Sequence, residues 1–117
     1  MIILSIIILS YNTKNLTLQC LQSVIKQYKD EFEKKDFEII VVDNNSTDDS
    51  AELIQNSEFR IQNSNLKLIM NKENLGFAKG ANIGASNARG KYFLFLNSDT
   101  QILDKGFISM VDFLNRN

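Results

Sequence analysis

The sequence contains no histidine, and this absence removes several classes of chemistry. Ser-His-Asp hydrolysis, Cys-His proteolysis, histidine phosphotransfer and histidine-ligated zinc all need that side chain. A single cysteine, Cys20, excludes an internal disulfide and a cysteine-rich metal site. Its place in an apolar helical pattern indicates a small core residue. Any metal must therefore be held by oxygen ligands, which favours Mg²⁺ or Mn²⁺.

An excess of charge of one sign is also absent. Thirteen Lys and Arg residues stand against fourteen Asp and Glu residues, for a net charge of −1. Proteins that bind nucleic acid usually carry a basic excess, so we expect no nucleic-acid partner. A negatively charged ligand would instead have to be bound by local groups, such as backbone N–H groups, a metal or single lysines.

No apolar run is long enough to span a membrane. Residues 1–10 are strongly apolar, but a spanning helix needs about 20 residues. The run also lacks the basic start and small-residue cleavage site of a signal peptide. We interpret it as a buried strand and expect a cytoplasmic protein, with association at the inner face of the membrane as an open alternative.

Apolar runs alternate with segments of helical period over the whole chain. Continuous apolar character favours strands that are buried on both faces of a parallel sheet. The runs predict four strands, at residues 2–9, 37–42, 66–70 and 92–96. The intervening segments predict helices at residues 14–35, 48–54, 76–88 and 103–114, with Asn12 or Thr13 capping the first.

This alternation predicts an α/β fold in one domain over residues 1–117. We expect a Rossmann-like three-layer α/β/α sandwich with a mostly parallel sheet. The first strand should be central, with the second and third to one side and the fourth on the other. A crevice then opens at the carboxyl ends of strands 1 and 4, where ligands of this architecture bind.

Polar residues follow the first two strands at the predicted crevice. After strand 1, Ser10, Tyr11 and Asn12 either bracket a planar base or form a turn into the helix. After strand 2, Asp43 is placed to accept a hydrogen bond from a base N–H or a ribose hydroxyl. We interpret residues 44–50 as a loop and helix N-cap. No Gly-x-Gly-x-x-Gly follows strand 1, which disfavours a dinucleotide fold.

Residues 74–84 combine three glycines with one lysine. Gly76 allows a sharp turn at a helix start, which suits an anion. Lys79 is either a phosphate contact or a solvated surface lysine. Gly80 and Gly84 lie four residues apart on one helix face, and this spacing favours close packing of the helix on the sheet.

The last polar group follows strand 4. Asn97 and Asp99 are alternate residues, and in an extended chain alternate side chains point the same way. We therefore expect the pair to face one ion or one ribose together.

Four blocks occur in a family's order and spacing: residues 7–12 (IILSYN), 41–48 (VVDNNSTD), 74–82 (NLGFAKGAN) and 94–100 (LFLNSDT). In these blocks the sequence resembles the family-2 glycosyltransferases of the GT-A fold, particularly the rhamnosyltransferase-like branch. The resemblance covers nearly the whole chain. It implies the nucleotide-binding half of that fold, with a donor site for a UDP-, dTDP- or GDP-linked sugar.

The resemblance also implies roles for individual residues. Residues matching Tyr11 and Asp43 hold the nucleobase, with the backbone around Ser10. Residues matching Lys79 and Asn82 lie beside the diphosphate and ribose. The expected donor-binding set is Ser10, Tyr11, Asn12, Asp43, Lys79, Asn82, Asn97 and Ser98.

The family's Asp-x-Asp motif, which binds a divalent cation, is altered here. Asn97 stands at its first position, whereas Asp99 keeps the second, so Mg²⁺ or Mn²⁺ is assigned to Asp99. The resemblance implies an inverting, metal-assisted transfer to a glycan or lipid-linked acceptor in cell-surface polysaccharide synthesis. The carboxylate base is expected beyond residue 117. We therefore expect a truncated domain that binds donor weakly and turns over little, with any membrane contact in the missing part.

Other functions match the residues after strand 1 less well. A sugar nucleotidyltransferase needs a glycine-rich phosphate loop and a basic residue after strand 1, and residues 10–13 supply neither. A receiver-type signalling domain needs an acidic cluster there, which is also missing. A non-catalytic nucleotide-sugar-binding or assembly module stays open as an alternative, and so does a sugar nucleotidyltransferase-like domain despite these missing residues.

Overall fold

The computed structural model describes residues 1–56 and 65–117. It confirms every predicted strand and, apart from a break in the first, every predicted helix. The strands are β1 (Leu4–Ser10), β2 (Phe37–Asp43), β3 (Leu66–Met70) and β4 (Tyr92–Asn97). The helices are α1 (Lys14–Gln27), α2 (Lys29–Glu33), α3 (Ser50–Gln55), α4 (Gly76–Ser86) and α5 (Gly106–Arg116).

The strands form one parallel sheet in the order β3-β2-β1-β4, as predicted. In the register of this sheet Ser10 lies beside Asp43, and Leu9 lies beside Asn97. The carboxyl ends of β1, β2 and β4 therefore meet at one edge. The polar segments at residues 10–12, 43–50 and 97–100 begin at that edge, whereas the segment at residues 74–84 leads into α4.

The two central strands are buried on both faces, and each face has its own packing layer. Ile6 and Ile8 of β1 point to the larger layer, which is built with α1. Ile7 of β1 points to the opposite layer with Ile40 and Val42, beneath α4. The predicted α/β/α layering is thus confirmed.

The glycines of α4 allow the close approach that their spacing predicted. A Cβ at Gly84 would lie 2.5 Å from Ile7 Cγ2, and one at Gly80 would lie 2.9 Å from Leu9 Cδ2. Neither distance is compatible with an unshifted side chain. Small residues at these positions therefore set how near α4 lies to β1.

Both edge strands differ from the prediction that all strands are buried on both faces: in β3 only Leu66 is buried, and β4 is half exposed. Phe93 and Phe95 are 45% and 48% exposed, while Leu94 and Leu96 pack against the larger core layer. The reason is that β4 is an edge strand and α4 packs over β1 and β2, not over β4. A continuous apolar run shows that a segment is a strand, but not which strand ends the sheet.

The start of α1 is also held differently from the prediction. Thr13 is the N-cap residue but makes no side-chain cap hydrogen bond. Instead, Asp48 Oδ2 accepts a hydrogen bond from Lys14 N at 3.0 Å. An acidic side chain at a helix N-terminus is favourable because unpaired N–H groups and the helix dipole meet there. The cap thus comes from the β2–α3 loop.

A buried carboxylate lies at the opposite, amino end of the sheet. Glu38 is fully buried, and its Oε2 accepts hydrogen bonds from Ser5 Oγ and from Arg89 N, both at 2.6 Å. Ser5 Oγ in turn accepts from Gly90 N at 2.8 Å. Lys67 Nζ and Arg89 Nε lie 3.9 and 3.7 Å from Glu38 Oε1. This network fixes the connection that leads from α4 into β4.

Among residues 1–56 and 65–117, no helix is long and apolar enough to cross a bilayer.

Candidate functional site

A cavity of about 330 Å³ opens at the carboxyl edge of the sheet. Its walls come from the ends of β1 and β2, the start of α4 and the turn after β4. The lining residues are Leu9, Ser10, Tyr11, Thr13, Asn44, Asn74, Gly76, Phe77 and Ser98. The crevice therefore lies where the topology predicted it, and Ser10, Tyr11 and Ser98 of the predicted set line it.

Two aromatic side chains stand at the mouth of this cavity. Tyr11 is 47% exposed and Phe77 is 65% exposed, and both line the cavity. Exposed rings at a cavity offer flat apolar surfaces for a planar ligand. Phe77 was missed by the sequence analysis, which interpreted its segment through glycine and lysine alone.

The loop after β1 and the loop after β2 are joined by hydrogen bonds. Asn12 Oδ1 accepts from Thr47 N at 2.7 Å, and Asn12 N donates to Ser46 Oγ at 2.9 Å. Asn12 adopts a positive φ of 50°, which asparagine tolerates better than most residues. Its side chain therefore holds two walls together in this structure, and direct contact with a donor stays a prediction.

Asp43 lies at the end of β2 as predicted, but its carboxylate is turned to its own loop. Oδ2 accepts from Ser46 N at 2.9 Å, and Oδ1 accepts from Ser46 Oγ at 2.6 Å. The side chain is buried and is not among the cavity-lining residues. The predicted contact of Asp43 with a base stays a prediction, and the hydrogen bonds to Ser46 show a loop-shaping role.

The neighbouring Asn44 lines the cavity instead. It is buried, its Nδ2 donates to Gly76 O at 3.2 Å, and its Oδ1 accepts from Asn71 Nδ2 at 2.8 Å. It thus ties the end of β2 to the start of α4. The sequence predicts a loop position for Asn44, because asparagine is common in loops. The sequence feature that indicates a cavity position for Asn44 is its place directly after a buried strand, beside Asp43.

Hydroxyl groups run in a chain across the floor of the crevice. Ser10 Oγ lies 2.9 Å from Thr17 Oγ1, which lies 3.0 Å from Thr13 Oγ1, which lies 3.1 Å from Ser98 Oγ. Ser10 and Thr17 are buried, and Ser10, Thr13 and Ser98 line the cavity, so the hydrogen bonds connect its two sides through the core residue Thr17. Thr13 was interpreted only as a helix cap, and its link to Ser98 spans 85 residues of sequence.

The helix α4 carries the next group of predicted residues. Gly76 has a φ of +81°, which confirms the sharp turn predicted there. Gly76 N is already bonded to Asn74 Oδ1 at 2.9 Å. Lys79 and Asn82 are exposed on α4 and are not among the lining residues. Their contact with a diphosphate or ribose stays a prediction.

The chain turns directly after β4, so the extended geometry assumed for Asn97 and Asp99 is wrong. Thr100 N donates to Asn97 O at 3.0 Å, which closes a turn around Ser98 and Asp99. Both Asn97 and Asp99 are exposed. Within the described ranges, the Asp99 carboxylate makes no hydrogen bond or ion pair, and no group of three or more acidic, Cys or His residues is placed to hold a metal.

Cys20 lies beneath this turn. Its Sγ is 3.8 Å from Asn97 O, and the side chain is fully buried, as the sequence predicted. Burial raises the pKa of the thiol to about 11, and the nearby Asp99 carboxylate adds to the rise. Cys20 is therefore protonated at neutral pH and acts as a core residue.

Comparison with known proteins places the chain in a family. The family model described as "Glycosyl transferase family 2" matches residues 5–117. An uncharacterized glycosyltransferase of Rickettsia bellii is 34% identical over 115 residues, covering 97% of this chain and 15% of the relative. The poly(ribitol-phosphate) beta-N-acetylglucosaminyltransferase TarS of Staphylococcus aureus is 32% identical over 99 residues, covering 84% of this chain and 16% of TarS.

Solved structures show the same fold. The S. aureus TarS 1–349 structure in complex with UDP matches with a TM-score of 0.84 and 29% identity, over 98% of this chain and 32% of that one. A mannosyltransferase from Pyrobaculum calidifontis in complex with GDP-Man and Mn²⁺ has a TM-score of 0.77 at 20% identity, which shows the fold alone. The chain spans about a sixth of the curated relatives' length and about a third of these structures. The fold is thus that of the GT-A glycosyltransferases, and the chain belongs to glycosyl transferase family 2.

Proposed function

We propose that this chain forms the donor-binding part of a glycosyltransferase and holds a nucleoside-diphosphate sugar in the crevice at the carboxyl edge of the sheet. The observation that carries the proposal is the cavity itself. It combines exposed rings with buried polar groups at the edge where parallel α/β sheets bind ligands. A TarS structure with this fold is described as a complex with UDP.

The base would lie between the β1 and α4 walls. Tyr11 and Phe77 offer flat apolar surfaces there, and Asn44, whose amide is bonded to Gly76 O and Asn71, lines the cavity between the end of β2 and the start of α4. We propose that Ser10 and Thr13, which line the same cavity, lie beside the ribose. We propose uracil, thymine or guanine as the base.

The residues after β4 suit a divalent cation. Asp99 supplies a carboxylate that no described residue engages, and Asn97 supplies an amide oxygen nearby in sequence. Mg²⁺ and Mn²⁺ are often held by one or two carboxylates together with substrate phosphates and water, so a single acidic ligand is enough. We propose that Asp99 holds the metal beside the diphosphate. When bound, the cation would stabilise the negative charge that grows on the departing diphosphate.

The protein's own part in the reaction would be to bind and orient the donor. The hydrogen bonds between the loops after β1 and β2 keep the crevice walls at a fixed separation. A preorganised polar site lowers the cost of placing the anomeric carbon for attack by an acceptor hydroxyl. We propose an inverting displacement in cell-surface polysaccharide synthesis, with the donor sugar, rhamnose included, left open. We assign no base, because the Asp43 and Asp48 carboxylates are already occupied by backbone N–H and hydroxyl groups.

A second candidate is a non-catalytic nucleotide-sugar-binding module. The occupied state of Asp43 and Asp48 favours it, because both carboxylates already accept hydrogen bonds and the described residues that line the cavity include no acidic side chain. Sugar transfer by the purified chain to any acceptor would exclude this candidate. Tight donor binding without transfer would support it.

Calorimetric titration with UDP, dTDP and GDP, each with and without Mn²⁺, tests the proposed function. We expect one nucleotide to bind, and to bind more tightly with the metal. A Tyr11→Ala chain should lose that binding, while Leu16→Ala, which changes an equally exposed apolar residue on α1, should keep it. Failure of a folded chain to bind any of the three nucleotides would contradict the proposal.

A further inference from the structure

The segment that follows Asp99 is held by hydrogen bonds to two side chains near α1, those of Ser23 and Tyr28. Ser23 Oγ accepts a hydrogen bond from Ile102 N at 2.9 Å. Tyr28, between α1 and α2, donates its hydroxyl to Asp104 O at 3.3 Å and accepts from Phe107 N at 2.8 Å. Residues far apart in sequence thus fix the backbone on the far side of Asp99.

Tyr28 is itself rigidly placed. It is fully buried, and its ring stacks on Phe107 with a centroid distance of 4.9 Å and an angle of 3° between the planes. Its ring also contacts Phe37 of β2 at 5.2 Å. The hydroxyl therefore presents a fixed donor and acceptor to the start of α5.

The start of α5 needs such a partner. The first N–H groups of a helix have no acceptor within the helix, and a buried donor left unpaired is costly. Phe107 is the second residue of α5 and is buried. Because the Tyr28 hydroxyl satisfies Phe107 N and also binds Asp104 O, it locks α5 and the preceding loop together.

Asp99 lies between two fixed points. On one side, Asn97 ends β4 and its carbonyl closes the turn to Thr100. On the other side, Ser23 and Tyr28 hold Ile102 and Asp104. Since no described side chain engages the Asp99 carboxylate, only the backbone sets its position.

We propose that Tyr28, with Ser23, is a positioning residue that places Asp99 for the cation; the inference rests on the proposed function of Asp99. Tyr28 touches neither nucleotide nor metal in this scheme. It acts through the backbone of residues 100–107. Loss of its hydroxyl would let this segment adopt more conformations and would weaken metal-dependent binding while leaving the base contacts in place.

The chain offers a matched control for this test. Tyr92 also donates its hydroxyl to α5, to Asn115 Oδ1 at 2.7 Å, but at the opposite end of that helix. Tyr28→Phe and Tyr92→Phe each remove one phenolic hydroxyl and keep the ring. We expect Tyr28→Phe to weaken UDP binding in the presence of Mn²⁺ about five- to tenfold, and Tyr92→Phe to change it less than about twofold.

Metal-free measurements separate the role of Tyr28 from that of Asp99. UDP affinity without Mn²⁺ should be equal in the two variants, and amide hydrogen exchange over residues 98–106 should be faster only in Tyr28→Phe.

If Tyr28→Phe does not fold, Ser23→Ala replaces it, because Ser23 holds Ile102 by an independent bond. Equal Mn²⁺-dependent affinities and equal exchange for Tyr28→Phe and Tyr92→Phe would overturn the inference. If the unmodified chain binds UDP without any metal dependence, the proposed role of Asp99 fails, and with it the positioning role.

Discussion

The hydroxyl of Thr13 lies 3.1 Å from the hydroxyl of Ser98, and this contact joins the loop after β1 to the turn after β4. Both residues line the cavity at the carboxyl edge of the sheet. The contact continues inward through Thr17 to Ser10. The two sides of the crevice are therefore coupled by a direct hydrogen bond, which gives the crevice a fixed width.

Removal of this bond should weaken nucleotide binding without melting α1. Thr13→Val keeps the shape of the side chain and removes its hydroxyl, and we expect about a fivefold loss of affinity for the nucleotide that binds. Helix α1 should persist because Thr13 makes no side-chain cap bond. Thr13→Ser should restore the affinity. Equal calorimetric affinities for Thr13→Val and Thr13→Ser would contradict this role of the hydroxyl.

Gly84 sets the distance between α4 and β1. Gly84→Ala should lower the free energy of unfolding by about 1–3 kcal/mol, because its Cβ would overlap Ile7 Cγ2 at 2.5 Å in a fully buried layer. Gly106→Ala is the control, since a Cβ there meets only the Asp104 side chain, at 3.1 Å. Urea unfolding of both variants makes the comparison. A Gly84→Ala chain as stable as the control would show that α4 shifts at no cost.

Glu38 should matter more for stability than either of its charged partners. Glu38→Ala leaves Arg89 N and the Ser5 hydroxyl without their buried acceptor, for a loss of about 2–4 kcal/mol. Lys67→Ala should cost less than about 1 kcal/mol, because the lysine side chain is more than a third exposed and water screens the ion pair. Denaturant unfolding tests both values. A smaller effect from Glu38→Ala than from Lys67→Ala would contradict this ranking.

Asp48 should make the stability of the fold depend on pH. Hydrogen bonds from the Ser50 hydroxyl, and then from Lys14 N and Ser50 N, hold the pKa of its carboxyl below the ordinary value. A pKa lowered on folding gives stability that is present above the unfolded pKa and is lost as pH falls through the folded pKa. The Tm of Asp48→Asn should therefore lie below that of the unmodified chain at about pH 6, and the gap should shrink toward about pH 3. A gap that is constant over this range would contradict the assignment.

Much of the fold was predictable because its signals are local. The apolar runs predicted the strands, and the usual layout of parallel α/β sheets predicted their order and with it the edge at which Ser10, Asp43 and Asn97 meet. The spacing of Gly80 and Gly84 similarly predicted their packing role. Each of these inferences needs only the period of a segment and the handedness of the crossovers.

The predictions that failed depend on individual side-chain and turn contacts that the hydrophobic pattern does not show. The cap of α1 comes from Asp48, 34 residues after Lys14, and no local pattern at residues 12–14 reveals it. The prediction that Asn97 and Asp99 face the same way required an extended chain through Ser98, but the chain turns at Ser98 and Asp99. Asp43 and Asn44 are neighbours with opposite roles, one bonded to its own loop and one lining the cavity, because adjacent residues at a strand end point to different sides.

The most direct test of the account is a calorimetric titration of Asp99→Ala with the nucleotide that the unmodified chain binds, in the presence and absence of Mn²⁺. Asp112→Ala on α5 is the control, because it removes the same charge from another exposed site. We predict that Asp99→Ala loses the metal-dependent part of the affinity and keeps the metal-free part, while Asp112→Ala keeps both. Metal-dependent binding that survives unchanged in Asp99→Ala would contradict the claim that Asp99 holds the cation beside the diphosphate.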